Sequence, residues 1–134
     1  MKILNILTIF AIAVVAFNIA QAQAESCEGG TLRTGDNGHV YCQSNNTMNW
    51  WSAYTWCEAQ GRHLASMYEV CPTWDGSTGE GKICNLSSFP SNVYNWTSTA
   101  LESNYTFAVD KTWVLGNNSY NGWRNKTLNR ALCY

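Results

Sequence analysis

A helical repeat of apolar residues predicts a first helix over residues 48–60. Trp50, Ala53 and Cys57 recur at helical spacing and form one apolar stripe. Two residues near its start have side chains that commonly cap helices, Thr47 and Asn49. Gly61 follows at the position where helices often end in a left-handed residue. The pattern therefore predicts a helix that packs one face on the rest of the domain.

A second, shorter helix is predicted over residues 67–71. Ser66 and Glu69 match a capping box, in which each side chain accepts a hydrogen bond from the backbone N–H of the other residue. Pro72 ends this helix, because the residue before a proline is driven out of the helical region. The following residues, 72–90, are rich in glycine and other turn formers and are predicted to be a loop.

Strand patterns lie on both sides of the helices. Turn-forming residues at positions 34–38 separate two short β-like runs, which predicts a hairpin over residues 27–43. Four further strands are predicted after Pro90, at residues 93–99, 105–109, 112–115 and 130–134. The expected fold class is α+β, with two short helices packed on a small antiparallel sheet.

The first 24 residues have the pattern of a secretory signal peptide. Lys2 precedes an apolar run that ends in repeated A-x-A sequences, and cleavage is predicted after Ala24, with Ala22 as second choice. The alternative is an uncleaved N-terminal anchor helix, but the apolar run is barely long enough to span a bilayer. We therefore expect a secreted domain over residues 25–134 (periplasmic if the source is Gram-negative), with no membrane span after cleavage.

All six cysteines lie in the expected mature part, and an even number beside an export signal predicts three disulfides. Six cysteines allow 15 pairings. One pair lies at the two ends of the predicted hairpin, a second brackets the glycine-rich loop, and the third follows by elimination. The expected bridges are Cys27–Cys42, Cys71–Cys84 and Cys57–Cys133. A hydrophobic core of this size gives only marginal stability, so we expect the three disulfides to be needed for a stable fold.

The hairpin that ends in Val40-Tyr41-Cys42 and the stretch Trp51-Ser52-Ala53…Cys57…Gly61…Leu64-Ala65-Ser66 together resemble the C-type lectin-like domain. In that family the first-helix cysteine pairs with the last-strand cysteine, as Cys57 and Cys133 are expected to do. The stretch from Tyr94 to Tyr134 is also similar to short bacterial secreted domains of the related sulfatase-modifying-factor type. The resemblance implies a disulfide-stapled, C-type lectin-like binding domain.

The sequence departs from the sugar-binding members of that family at their calcium ligands. Those members carry Glu-Pro-Asn or Gln-Pro-Asp and, near the end, Trp-Asn-Asp. Here Pro90 has no carboxylate before it, and Arg124 stands where an acid would be needed. Calcium takes six to eight oxygen ligands with carboxylates among them, and residues 75–80 miss the acidic positions of an EF-hand loop. We expect neither a metal nor another cofactor.

Aromatic and asparagine residues in the C-terminal quarter form the candidate ligand-binding face. The chain has seven tryptophans and seven tyrosines, and aromatics beside asparagines suit contact with a sugar or a protein. The candidates are Trp113, Asn117, Asn118, Tyr120, Asn121, Trp123, Arg124 and Asn125. Other tryptophans are expected in the core, namely Trp50, Trp51, Trp56 and Trp96.

Six N-x-S/T sequons occur, at Asn45, Asn85, Asn95, Asn104, Asn117 and Asn125. Sequons matter only in a host that glycosylates them. Asn95 lies in a predicted strand, which argues against uniform use of all six.

No set of catalytic residues is indicated. His39 and His63 are the only histidines, no nucleophile-elbow motif is present, and the spacing of the carboxylates selects no pair. The net charge of −1, without a basic patch, argues against nucleic-acid binding. We expect a non-enzymatic module that binds a glycan or a protein, on a cell surface or in the medium, without calcium. The alternatives are a small structural envelope component and a secreted enzyme inhibitor on the same scaffold.

Overall fold

The computed structural model describes residues 25–116 and 124–134. The predicted signal peptide, residues 1–24, lies outside these ranges. The strands are β1 (Gly30–Thr34), β2 (Val40–Met48), β3 (Asn95–Glu102), β4 (Tyr105–Val109), β5 (Val114–Leu115) and β6 (Asn129–Cys133). The helices, between β2 and β3, are α1 (Trp50–Ala59) and α2 (Met67–Val70). The domain is α+β, as predicted, with two helices on one sheet.

The six strands form one sheet in the order β1-β2-β6-β3-β4-β5. The hairpins β1–β2, β3–β4 and β4–β5 are antiparallel, and β6 is antiparallel to β2. The C-terminal strand is thus inserted at the centre of the sheet, between two strands that come from distant parts of the chain.

The prediction of an antiparallel sheet is wrong at the pairing of β3 with β6. These two strands run parallel, with Asn95 opposite Arg130 and Trp96 opposite Ala131. Short hairpin connections force neighbouring strands to alternate in direction, but the two central pairings of this sheet are not hairpins. Both helices and a long loop separate β2 from β3, so no short turn sets the direction of β3.

The core has two parts, on opposite faces of the sheet. Along β6, Ala131 and Cys133 belong to one apolar cluster and Leu132 to the other, as the two-residue period of a strand requires. Buried residues of α1 lie in the first cluster, and Met67 and Val70 of α2 lie in the second. The helices therefore cover different faces.

Helix α1 spans Trp50–Ala59 rather than the predicted 48–60, and of the two predicted caps it uses Asn49. The Asn49 side chain accepts a hydrogen bond from the Ser52 N–H at 2.8 Å, which satisfies one of the free donors of the first turn. At the other end Gly61 has a φ of +72°. Its N–H donates to the Glu58 carbonyl at 2.9 Å, and the N–H of Arg62 donates to the Cys57 carbonyl at 3.1 Å. These two bonds form a Schellman motif, which requires the left-handed glycine.

The predicted capping box of α2 is confirmed. The Ser66 hydroxyl accepts from the Glu69 N–H at 3.2 Å, and the Glu69 carboxylate accepts from the Ser66 N–H at 2.8 Å. The helix has only four residues. Caps at its start and the buried side chains of Met67 and Val70 hold it in place.

All three predicted disulfides are present: Cys27–Cys42, Cys57–Cys133 and Cys71–Cys84. Two of them close short loops, with sequence separations of 15 and 13 residues, and the third joins α1 to β6 across 76 residues. Disulfides of this density are typical of proteins from oxidising compartments. Within the described ranges, no helix has the length and apolar character needed to cross a bilayer.

Candidate functional site

Among the described residues, a cleft lies where the start of α1 meets two turns. It has a volume of about 310 Å³, and its described lining consists of Trp51, Asn104, Tyr105 and Asn125. We call it the Trp51 cleft. Asn104 belongs to the turn between β3 and β4, and Asn125 to a turn that precedes β6. The volume is at the lower end of the range of about 300–1,000 Å³ found for ligand pockets, which suits a small ligand or one end of a longer one.

Backbone hydrogen bonds hold the three walls of the cleft together. The N–H of Trp50 donates to the Arg124 carbonyl at 2.9 Å, and the N–H of Arg124 donates to the Asn104 carbonyl at 3.1 Å. Residue 124 therefore links the first turn of α1 to the β3–β4 turn. The first bond also satisfies an N–H that the helix itself leaves without a partner.

Trp50 is held in place by two contacts, and Trp51 packs against it. Its indole N–H donates to the Thr97 carbonyl at 2.8 Å, and the Arg124 guanidinium lies over its ring at 4.4 Å. The Trp51 ring meets the Trp50 ring edge-on, at a centroid distance of 5.8 Å. Because one side of Trp51 is held by Trp50 while half of its surface is exposed, it presents an ordered aromatic face to the cleft.

The lining combines aromatic surface with neutral hydrogen-bonding groups. Each asparagine side chain supplies two N–H donors and a carbonyl oxygen with two lone pairs. None of the four described lining side chains is charged at neutral pH. The Arg124 guanidinium is nearby but is directed at Trp50. The cleft is thus suited to a neutral ligand that has both an apolar face and hydroxyl or amide groups.

The sequence-predicted ligand residues fall in three places. Asn125 lines the Trp51 cleft, and the Arg124 guanidinium lies over the ring of Trp50, which in turn contacts Trp51. Trp113, 38 % exposed, lies just before β5, past the end of β4 that is opposite to Asn104. The other predicted residues lie outside the described ranges, namely Asn117, Asn118, Tyr120, Asn121 and Trp123.

Three residues of the cleft were not predicted from the sequence: Trp51, Asn104 and Tyr105. The prediction that Trp51 is a core residue is wrong, since it is 50 % exposed. Consecutive residues of a helix point about 100° apart, so Trp50 and Trp51 cannot both follow the stripe of Ala53 and Cys57. The 100° spacing alone could therefore have predicted that one of the two tryptophans is exposed. Nothing in the sequence indicated that the β3–β4 turn would lie beside residue 125.

A smaller cavity of about 210 Å³ lies at the loop closed by the Cys71–Cys84 bridge, and Trp74, Asp75 and Lys82 are among its lining residues. The carboxylate of Asp75 accepts from the Ser77 hydroxyl at 2.5 Å and from the Ser77 N–H at 3.0 Å. These bonds, with a smaller contribution from Lys82, lower the pKa of Asp75 to about 2. Within the described residues, no cluster of three or more His, Cys, Asp or Glu side chains suits a metal ion.

The rings of both histidines lie close to the ring of Tyr134, at centroid distances of 3.6 Å for His39 and 5.6 Å for His63. The His39 ring stacks on the Tyr134 ring at 3.6 Å, and burial together with the charge of Arg62 lowers the pKa of His39. His63 lies 2.8 Å from the Glu69 carboxylate and is largely exposed. Burial raises the pKa of Glu69, but hydrogen bonds from Ser66 and His63 outweigh it and leave that pKa below its usual value.

Comparisons with family models, with curated proteins and with solved structures returned no match for this chain.

Proposed function

We propose that this chain is a secreted, C-type lectin-like binding module that takes a neutral glycan in the Trp51 cleft without calcium. The observation that carries the proposal is the half-exposed Trp51 ring, held edge-on by Trp50 and facing two asparagine side chains. The role assigned to the domain is recognition rather than catalysis.

The aromatic surface favours a sugar ring over a fully polar ligand. A large aromatic side chain left half exposed retains apolar area that a ligand can cover. One face of a pyranose carries mainly C–H groups and can pack flat on such a ring. Trp51 loses little freedom in doing so, because its contact with Trp50 already orders it.

The asparagines favour a ligand with neighbouring hydroxyls. Asn104 and Asn125 each offer a donor and an acceptor on one rigid amide, which matches two adjacent hydroxyl groups. The absence of charge among the described lining residues favours a neutral glycan over an acidic one, because an acidic sugar would lose water without gaining an ion pair.

The resemblance to the C-type lectin-like domain supports a binding role for the fold. The stapled N-terminal hairpin, the capped first helix and the Cys57–Cys133 bridge occur here in the order expected for that family. Three disulfides agree with export into an oxidising compartment.

The experiment is a glycan array probed with the disulfide-bonded protein, with and without EDTA. Trp51→Ala should weaken binding about tenfold or more, equivalent to about 1.4 kcal/mol. Tyr68→Ala is the matched control, because Tyr68 is an exposed aromatic of α2 that packs near Trp74 and lies outside the described lining. Equal losses in both variants would reject the cleft, and binding abolished by EDTA would reject the calcium-free mechanism.

A protein ligand is the second candidate, and exposed apolar side chains near the Cys71–Cys84 loop favour it. Ile83 is 80 % exposed and Tyr68 is 59 % exposed, while Trp74 packs 5.4 Å from Tyr68. Exposed apolar side chains that lie together are typical of protein-binding surfaces. If a protein partner no longer bound the Ile83→Ser variant but still bound the Trp51→Ala variant, this candidate would be supported over the glycan.

A further inference from the structure

We propose that Asn125 is an acceptor for N-glycosylation and that the attached glycan closes the Trp51 cleft. The acceptor role stands on the local structure alone, whereas its meaning as a control of ligand binding rests on the proposed function. The acceptor role of Asn125 applies in any host that performs N-glycosylation.

Two of the described sequons are excluded in the folded domain. Asn95 is fully buried, and its amide N–H groups donate to the carbonyls of Val109 at 3.1 Å and Val93 at 3.2 Å. The amide nitrogen of Asn85 is also buried. A glycosylating enzyme must reach the amide nitrogen, so neither asparagine can react once the sheet has formed.

The sequon of Asn104 is only half accessible. Asn104 itself is exposed, but its threonine, Thr106, is fully buried. The Thr106 hydroxyl donates to the carbonyls of Thr99 at 2.8 Å and Thr97 at 3.0 Å. Recognition of this sequon would require β4 to separate from β3.

The sequon of Asn125 is accessible at both ends. Asn125 and Thr127 are both exposed, and they lie in a turn and an irregular segment before β6 rather than in a strand. Asn45 and Thr47 are exposed as well, but they belong to β2, and the Asn45 N–H is bonded to the Gly29 carbonyl at 3.1 Å. Asn125 is therefore the described acceptor that is both accessible and part of the cleft.

The chemistry is a group transfer without oxidation or reduction. The Asn125 amide nitrogen attacks the anomeric carbon of an oligosaccharide carried on a polyprenyl diphosphate. A C–N bond forms, the C–O bond to the diphosphate breaks, and the amide nitrogen gives up one proton. The lipid diphosphate leaves, and the product is a neutral N-glycan.

The position of Asn125 determines the effect of the glycan. The new bond begins at a side chain that lines a cleft of about 310 Å³ together with Trp51. The first sugars must therefore pass over or into the cleft, and they shield the Trp51 ring from solvent and from other ligands.

The test uses the full chain produced in a secretory host that performs N-glycosylation. Thr127→Ala removes the sequon and leaves Asn125 in the cleft, while Thr47→Ala removes the Asn45 sequon as the matched control. Glycopeptide mass spectrometry measures occupancy, and hydroxyl-radical oxidation followed by mass spectrometry measures exposure of Trp51. We expect occupied Asn125 in the native chain and in Thr47→Ala, with Trp51 oxidised roughly threefold or more slowly than in Thr127→Ala because the glycan is bulky.

Unoccupied Asn125, whether or not Asn45 carries a glycan, overturns the acceptor site. Occupied Asn125 with unchanged Trp51 oxidation overturns closure of the cleft. Protection of Trp51 in the native chain, together with no sugar binding by Thr127→Ala, supports closure and counts against the proposed function. The two proposals can therefore fail separately.

Discussion

The side-chain amide of Gln43 donates to the side-chain oxygen of Asn95 at 2.6 Å, across the face of the strand that separates them. Gln43 is on β2, Asn95 is on β3, and β6 lies between these strands. Gln43 also accepts from the Arg33 guanidinium at 2.6 Å, and Asn95 donates to the Val109 carbonyl. The result is a buried polar network that reaches from β1 to β4.

Asn95→Ala should lower the free energy of unfolding by about 2–3 kcal/mol, because it leaves the buried Gln43 amide without its acceptor and removes the bond to the Val109 carbonyl. Urea denaturation with the disulfides intact measures the change. The double variant Gln43→Leu, Asn95→Leu is the control, and it should cost less than the two single changes added together. A loss below about 0.5 kcal/mol in Asn95→Ala would show that the network contributes no more than an ordinary surface contact.

The local features of this domain could be predicted because their signals lie within a few residues of each other. Ser66 and Glu69 are three positions apart, and Gly61 comes directly after Gln60, the C-cap residue of α1. Two of the disulfides also close short loops, so their pairings could be predicted and the third pairing followed by elimination. Helix caps, turns and short disulfide loops join residues that are close in the sequence, so the residues responsible can be recognised from a short stretch of it.

The parallel pairing of β3 with β6 and the Trp51 cleft could not be predicted in the same way. The cleft joins residues 51, 104 and 125, which lie on three separate elements. Alternation shows which residues of a strand are buried, but it does not show which strand lies next to it or which turn meets which helix. Those choices depend on packing between distant segments, such as the link made by the Arg124 backbone.

Gly30→Ala and Gly61→Ala should destabilise the domain for different reasons and by different amounts. A Cβ at Gly30 would lie 2.5 Å from the Gln43 carbonyl oxygen and 2.6 Å from the Cys27 sulfur, so the hairpin must move. A Cβ at Gly61 meets nothing within 4 Å, and the cost there is the left-handed backbone alone, about 1–2 kcal/mol.

We expect the larger loss in Gly30→Ala, measured by thermal and urea unfolding of both variants. Peptide mapping of the Gly30→Ala protein should also show incomplete formation of the Cys27–Cys42 bridge. Gly61→Asn is a useful control, because asparagine tolerates the left-handed region and should cost less than alanine. Equal losses at the two glycines would mean that the close packing around Gly30 is not important for stability.

Removal of the Cys57–Cys133 bridge should cost more stability than removal of the Cys71–Cys84 bridge. The separations are 76 and 13 residues, and loop-closure entropy then predicts about 4.5 and about 2.9 kcal/mol. The former bridge also ties α1 to the central strand β6, and both of its cysteines are fully buried. Paired Cys→Ala variants and urea denaturation measure the difference, and a smaller loss for the longer loop would contradict the entropic argument.

The stability of the domain should fall as the pH drops below about 6.5, on account of His39. Burial, with the nearby Arg62 charge, lowers the pKa of His39 from its ordinary value of 6.5. Between the folded-state pKa and 6.5 the unfolded chain binds more protons than the folded domain, so acidification favours unfolding in that range. The His39 Nε2 atom is buried and has no hydrogen-bond partner in the described part of the chain, so its protonation is not compensated.

His39→Phe keeps an aromatic ring against Tyr134 and removes the titrating group. Its free energy of unfolding should change less than that of the native domain between pH 7 and pH 5, as measured by urea denaturation at each pH. Glu69 titrates in a lower range. Its pKa lies below 4.5 because hydrogen bonds from Ser66 and His63 outweigh burial, so its contribution is present above pH 4.5 and is lost as the pH falls further. Identical pH profiles for His39→Phe and the native domain would assign the acid sensitivity to groups other than His39.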